Sequence, residues 1–248
     1  MGGSGMKKRW LIIGMAALGL AAAVFLFPEE TMEQRMARDM KNLETEVVRI
    51  ELAGRHYDIP MRYLYGQAIE KYRRWPTAKK ERVAVDALTL SVLLPDMRPY
   101  YPQDDARWKV KGHGDRVEVT IANSAGKTDW FQDILGRYLS SESVGGRENG
   151  PSVHGLIRFH GSRDRYFSTI DPELTMSCDT RTQSNDPKDF FSPSCSAKTN
   201  YKPGVVLDYY YGASHFPNWR EIDGKLKSMF DGFERIAQSK DGLSDIAN

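Results

Sequence analysis

The chain has 248 residues, 40% hydrophobic and 11% aromatic, with 35 Lys and Arg against 33 Asp and Glu and a formal net charge of +2. That apolar content is too high for a disordered tail, and that balance lacks the strong positive charge of a nucleic-acid binder. Some 220 residues follow the first apolar stretch, enough for one domain with a substantial core.

Met6 stands where a natural start would be, so residues 1–5 (MGGSG) read as a leader and drop out of the fold. Trp10 to Phe27 are eighteen residues without a charge. As a helix they would extend about 27 Å, close to the ~30 Å hydrocarbon core. Lys7, Lys8 and Arg9 precede this run while Glu29, Glu30 and Glu33 follow it. By the positive-inside rule the N-terminus stays in the cytoplasm and the remainder is exported. Residues 6–28 are therefore expected to be an uncleaved signal anchor. Ala21-Ala22-Ala23 offers a cleaved signal as the rival, but the apolar run continues to Phe27, past where a mature chain turns polar. No cysteine lies near the segment, which excludes a lipoprotein anchor there. Setting Lys7, Lys8 and Arg9 aside from the 35 basic residues leaves 32 against 33 acidic ones, a net charge of −1 for the exported part. No nucleic-acid partner is expected.

Residues 29–46, EETMEQRMARDMKNLETE, carry Met32, Met36, Met40 and Leu43 at helical spacing and predict a juxtamembrane helix. The domain proper is expected over 47–248. Val48, Ile50 and Leu52, the turn at Ala53-Gly54, then Tyr57 and Ile59 predict a β-hairpin. Arg82 to Leu94, rich in Val and Leu and ending at Pro95, predicts a central strand. Trp108 to Lys111 and Val117 to Ile121 flank GHGD as a second hairpin. Asp129 to Leu139 predicts a short helix with Trp130, Ile134 and Tyr138 on one stripe. Strands are expected at 153–160, 166–170, 174–178, 195–201 and 205–211. Trp219, Ile222, Leu226, Met229, Phe233 and Ile236, with Phe230 beside them, mark an amphipathic C-terminal helix capped by Asn218. Strands in hairpin order with helices at both ends define an α+β class, an antiparallel-sheet domain preceded by a single transmembrane helix.

Two motifs imitate enzymes. In NSAGKTDW, residues 123–130, Gly126-Lys127-Thr128 matches the end of a phosphate loop, but the required first glycine falls on Ile121. A β-branched residue cannot curl its backbone around a phosphate cheaply. The stretch reads as a turn in which Asp129 and Gln132 start the next helix with a capping-box pattern, and no nucleotide is expected. In Gly212-Ala213-Ser214-His215-Phe216, Phe216 replaces the second glycine of a hydrolase elbow, so Ser214 is not read as a nucleophile. Five histidines, His56, His113, His154, His160 and His215, form no ligand motif. His154 and His160, placed on one strand, would stand about 20 Å apart. Neither catalytic residue, metal nor cofactor is expected, and the chain reads as a binding protein rather than an enzyme.

Cys178 and Cys195 are the only cysteines, and export predicts that they pair across sixteen intervening residues. Arg98, Tyr100, Tyr101, Asp104 and Asp105 lie in a loop rich in Tyr, Pro and charge, the composition of a protein interface. Tyr209-Tyr210-Tyr211 places aromatics on both faces of a strand.

The KKR-led anchor, the exported domain, the cysteine pair and the C-terminal half with RYFSTIDPELTMSC, GVVLDYYYG and NWREIDGKLKSMFDGF together resemble membrane-anchored periplasmic immunity proteins paired with type VI secretion effectors, including lipases. What the resemblance implies is a non-enzymatic protein that neutralises a secreted antibacterial toxin by binding and occluding it, its tether raising its concentration where a membrane-directed toxin acts. A structural or assembly subunit of a cell-envelope machine is the alternative that the same layout serves.

Overall fold

The structure, a computed structural model, describes residues 31, 34, 38, 41, 43–66, 81–110, 112–124, 126, 129–140, 152–161, 163–170, 172–179 and 191–244. The expected span at 10–27 lies outside them. Among the described residues no helix is long and apolar enough to cross a membrane.

The chain forms two units, Met1–Asn42 and Leu43–Asn248. In the first, residues 34, 38 and 41 are helical, and Thr31 and Gln34 cap each other. The Thr31 N–H donates to Gln34 Oε1 at 3.0 Å and the Gln34 N–H to Thr31 Oγ1 at 3.2 Å, which satisfies two of the backbone donors that a helix start leaves open.

The second unit holds ten strands among its described residues. β1 (Val47–Leu52) and β2 (Arg55–Pro60) form the expected hairpin, turned by Ala53 and Gly54 at positive φ. β3 (Val83–Ala84) adds to β1 in parallel. The larger sheet has seven strands: β4 (Ala87–Leu93), β5 (Arg116–Asn123), β6 (Ile157–Phe159), β7 (Arg163–Ser168), β8 (Leu174–Asp179), β9 (Ser194–Lys202) and β10 (Val205–Gly212). Their spatial order is β4-β5-β10-β9-β8-β7-β6, every pairing antiparallel. Among the described residues the α-helices of this unit, besides helical residues 43–45, are α1 (Asp105–Trp108), α2 (Trp130–Ser140) and α3 (Trp219–Ser244), the last entered directly from a 3-10 turn at Ala213–Asn218.

Strand alternation divides the large sheet into two faces. One face carries Leu90 and Val92, Val117, Val119 and Ile121, Leu207, Tyr209 and Tyr211, and Leu174 and Met176. The small sheet, through Ile50, Leu52, Tyr57 and Ile59, and α3, through Trp219, Ile222, Leu226, Phe230 and Phe233, bury this face in the main core. The opposite face is covered in part by α2, whose Trp130, Phe131 and Leu135 pack with Phe159, Phe167 and Val206. The buried side of α2 is thus rotated by one residue from the expected stripe, and Ile134 and Tyr138 flank it.

Three expectations are corrected. The run 82–94 is not one central strand: it divides at Val85-Asp86, with β3 in the small sheet and β4 at the edge of the large one. At the end of β4 the chain turns back on itself, Leu93 and Arg98 exchanging backbone hydrogen bonds at 2.8 and 3.1 Å. Residues 108–110 are not a strand, and Lys111 lies outside the described residues. Trp108 closes α1, buried against Tyr100 and Tyr65, and β5 pairs with β4 and β10 instead. His154 and His160 do not share a strand: His154 sits at φ 51° in a turn, and His160 follows the end of β6.

Candidate functional site

Cys178 and Cys195 are disulfide-bonded and stand directly opposite each other on β8 and β9, with Cα atoms 4.1 Å apart. Both are buried in the main core, so the bridge joins adjacent strands from the inside.

Of the five residues read as a partner surface, Tyr100 and Asp104 are buried. Tyr100 stacks on Tyr65 with centroids 3.4 Å apart, and its carbonyl accepts from Arg62 at 3.0 Å. The Arg62 guanidinium also lies 4.4 Å from the Tyr101 ring centroid. Arg98 donates to Asp104 at 3.1 Å and the Tyr100 hydroxyl to Asp105 at 3.3 Å. The loop binds itself together, and Arg98, Tyr101 and Asp105 keep only partial exposure.

The two enzyme-like motifs occupy ordinary positions. Ile121 is buried in β5 between Leu88 and Leu207, so the backbone where a phosphate loop would begin is committed to the sheet. Gly126 turns at φ 75°, and Gln132 donates to Glu173 rather than back to the helix start. Lys127 and Thr128 lie outside the described residues. Ser214 is exposed, while its neighbour His215 points Nε2 at Asp115 Oδ1, 3.2 Å away. Among the described residues no group of three His, Cys, Asp or Glu side chains is placed to hold a metal ion.

Two of the concavities among the described residues bear on binding. The first is a cleft of about 240 Å³ between the end of β4, the turn before β5 and the start of α3. Leu94, Pro95 and Ile222 line it, and its rim is charged. Arg107 donates to Asp115 at 2.8 Å and to the Leu94 carbonyl at 2.7 Å, and Lys225 joins Glu221 at 2.6 Å and the Pro95 carbonyl at 3.0 Å. The Arg107 hydrogen bond holds the Asp115 carboxyl below its ordinary range, opposed by burial and assisted by His215. Each charge on this rim is already partnered within the chain.

The second is a groove of about 280 Å³ on the sheet face away from the main core, over β5, β10 and β9. Thr120, Lys198, Asp208 and Tyr210 line it, with Trp130 of α2 at one end, held by an indole N–H to Asn200 Oδ1 hydrogen bond of 2.7 Å. Tyr210 is 44% exposed, whereas Tyr209 and Tyr211 on the other face of β10 are fully buried. Burial pushes the Asp208 carboxyl above its ordinary range, opposed by Lys198. Asp208 in turn raises the Tyr210 hydroxyl, with burial second. Sequence inspection passed over Asp208. Its signal was a lone acid in GVVLDYYYG, sharing parity with Tyr210 and not with Leu207, Tyr209 and Tyr211.

No protein-family model matches this chain, and no curated protein matches it in sequence. Two solved structures share its fold. One is Smlt3025, an immunity protein of the Stenotrophomonas maltophilia type IV secretion system, at a TM-score of 0.50 and 13% identity over 76% of this chain and 93% of that one. Another is FrpD, an iron-regulated outer membrane lipoprotein of Neisseria meningitidis, at a TM-score of 0.51 and 14% identity over 78% of this chain and 95% of that one. At these identities the likeness is one of fold, and the α+β domain has a fold also found in a secretion-system immunity protein.

Proposed function

We propose that this chain neutralises a secreted antibacterial toxin by binding it and occluding its active site. The observation that carries the reading is the fold shared with a secretion-system immunity protein over most of both chains. In this reading residues 10–27 anchor the chain in the inner membrane, the domain lies in the periplasm, and no catalysis is involved. The disulfide supports the compartment, since such bridges persist where the surroundings are oxidising. The anchor-plus-domain layout points to a toxin of a type VI system, a lipase among the candidates, whereas the fold-mate belongs to a type IV system. A second reading, a subunit of a cell-envelope assembly, is favoured by the fold shared with an outer membrane lipoprotein.

Co-expression separates the two. The product of a toxin-like gene beside this chain's own gene, directed to the periplasm, should arrest growth, and the full chain should restore it and co-purify with that product. Arrest without rescue and without a complex removes the neutralising role. Protease treatment of spheroplasts should digest the domain, and protection would remove the periplasmic assignment.

A further inference from the structure

The groove over β5, β10 and β9 differs from the cleft in one respect that bears on binding. Asp208 faces Lys198 directly across the β9–β10 ladder, a pairing in which an acid and a base ordinarily meet. They do not meet here: the Lys198 ammonium lies 5.0 Å from the centroid of the Trp130 ring. Among the described residues the Asp208 carboxylate makes neither a hydrogen bond nor an ion pair, although it is half-buried. The other charges nearby are engaged elsewhere, Arg163 with Asp179 at 3.3 Å and Arg116 with Glu118 at 3.9 Å. Tyr210, beside Asp208 on the same strand face, is one of the few large hydrophobic side chains left exposed among the described residues.

A partly desolvated carboxylate without a partner costs stability. It is satisfied most directly by a donor supplied from outside, and Lys198, which also lines the groove, reaches the carboxylate only from a distance, so a cation from outside gains an ion pair there. Tyrosine beside it supplies a flat apolar wall for the stem of a long basic side chain while keeping a hydroxyl for the rim. Aromatic residues of this kind, centred in a partly dry pocket, are where protein interfaces concentrate their energy.

We propose that this groove is the surface that meets the protein toxin, and that the toxin inserts a lysine or arginine side chain between Asp208 and Tyr210. The proposal rests on the neutralising function above and names the contact surface, which the 98–105 loop was expected to provide.

The test uses the full chain and the purified toxin that the co-expression experiment above identifies. Asp208→Asn keeps the shape and removes the charge, Tyr210→Ala removes the wall, and Ile170→Ala changes an exposed apolar residue outside the groove. By calorimetry Asp208→Asn and Tyr210→Ala should each weaken binding about tenfold or more, and Ile170→Ala should leave it within about twofold, the range of surface changes away from a contact. The free protein supplies a second readout. Asp208→Asn should melt at the same temperature or higher, because an unpaired charge has been removed, so affinity and stability move in opposite senses. Wild-type binding that both groove variants retain overturns the surface and leaves the function standing. A lower melting temperature for Asp208→Asn makes the carboxylate a structural group and also overturns the proposal. Sedimentation of the free chain covers a further occupant: a dimer that Tyr210→Ala dissolves would mean that a second copy fills the groove. Absence of wild-type binding removes the function and this proposal together.

Discussion

Opening the Cys178–Cys195 bridge should cost the domain about 3 kcal/mol, and the structure says why the loss falls on the unfolded chain. The two residues are register partners on adjacent strands, 17 apart in sequence, and the native pairing has other supports. Next to them the Asp179 carboxylate accepts from the Ser194 N–H at 2.9 Å and lies 3.3 Å from Arg163. Reduction therefore leaves the β8–β9 ladder in place while freeing the denatured chain from a closed loop of this length, worth about 3 kcal/mol in the chain-entropy model. For a domain of about 200 residues each kcal/mol moves the melting midpoint by about 2–4 °C, so a fall of about 6–12 °C is expected. Urea unfolding of the same preparation, oxidised and then held in reductant, measures the difference. The denaturant slope should rise on reduction, because an unfolded chain without the cross-link exposes more surface. A loss below about 1 kcal/mol with an unchanged slope would refute the argument, since the bridge would then be constraining nothing that the ladder does not.

Phe230→Ala removes a fully buried ring of α3 that meets Tyr57 of the small sheet edge-on at 6.4 Å and Tyr201 of the large sheet at 6.1 Å. Loss of about 3–5 kcal/mol in urea unfolding is expected, and less than about 1.5 kcal/mol would mean that the two sheets and the helix do not share one core. Lys202 joins α3 to the end of β9, bonding Glu234 and lying 2.7 Å from Asp231, with Arg55 on Glu234 at 3.0 Å. Burial pushes both carboxyls up, but the hydrogen bonds from Lys202, with Tyr201 on Asp231 and Arg55 on Glu234, reverse that and hold both below their ordinary values of 3.8 and 4.5. A carboxylate held low stabilises the fold above its unfolded pKa, and that contribution disappears as pH falls through the lowered folded value. Lys202→Met should therefore cost about 1–2 kcal/mol at neutral pH, with Asp231 discounted for its exposure. The gap from wild type should close as pH falls below the ordinary carboxylate range. A gap of constant size across that range would show that lost packing, not charge, is responsible.

Local chemistry was enough for most elements. Val117, Val119 and Ile121 alternate because every second side chain of β5 enters the core, and the α3 stripe repeats because one face of a helix is buried. The disulfide followed from there being two cysteines and one way to pair them. What periodicity could not carry was neighbourhood. Val205–Gly212 lies between β5 and β9, so a strand near the end of the chain pairs with one almost ninety residues earlier. Such pairing is decided by which order closes the core, a property of the whole chain. For the same reason Arg82–Leu94 read as central although its second half lies at an edge of the large sheet. The Tyr-rich loop read as an interface from its composition, and only the structure shows that Tyr100 is stacked on Tyr65 while Tyr101 stays partly exposed. Beyond the lone acid in GVVLDYYYG the Asp208 groove was not legible in the sequence, because its members come from β5, β9, β10 and α2 and acquire meaning only once the sheet brings them together. A residue's type and spacing state which face it wants, but burial by distant segments decides whether that face meets the core, a covering loop or open solvent.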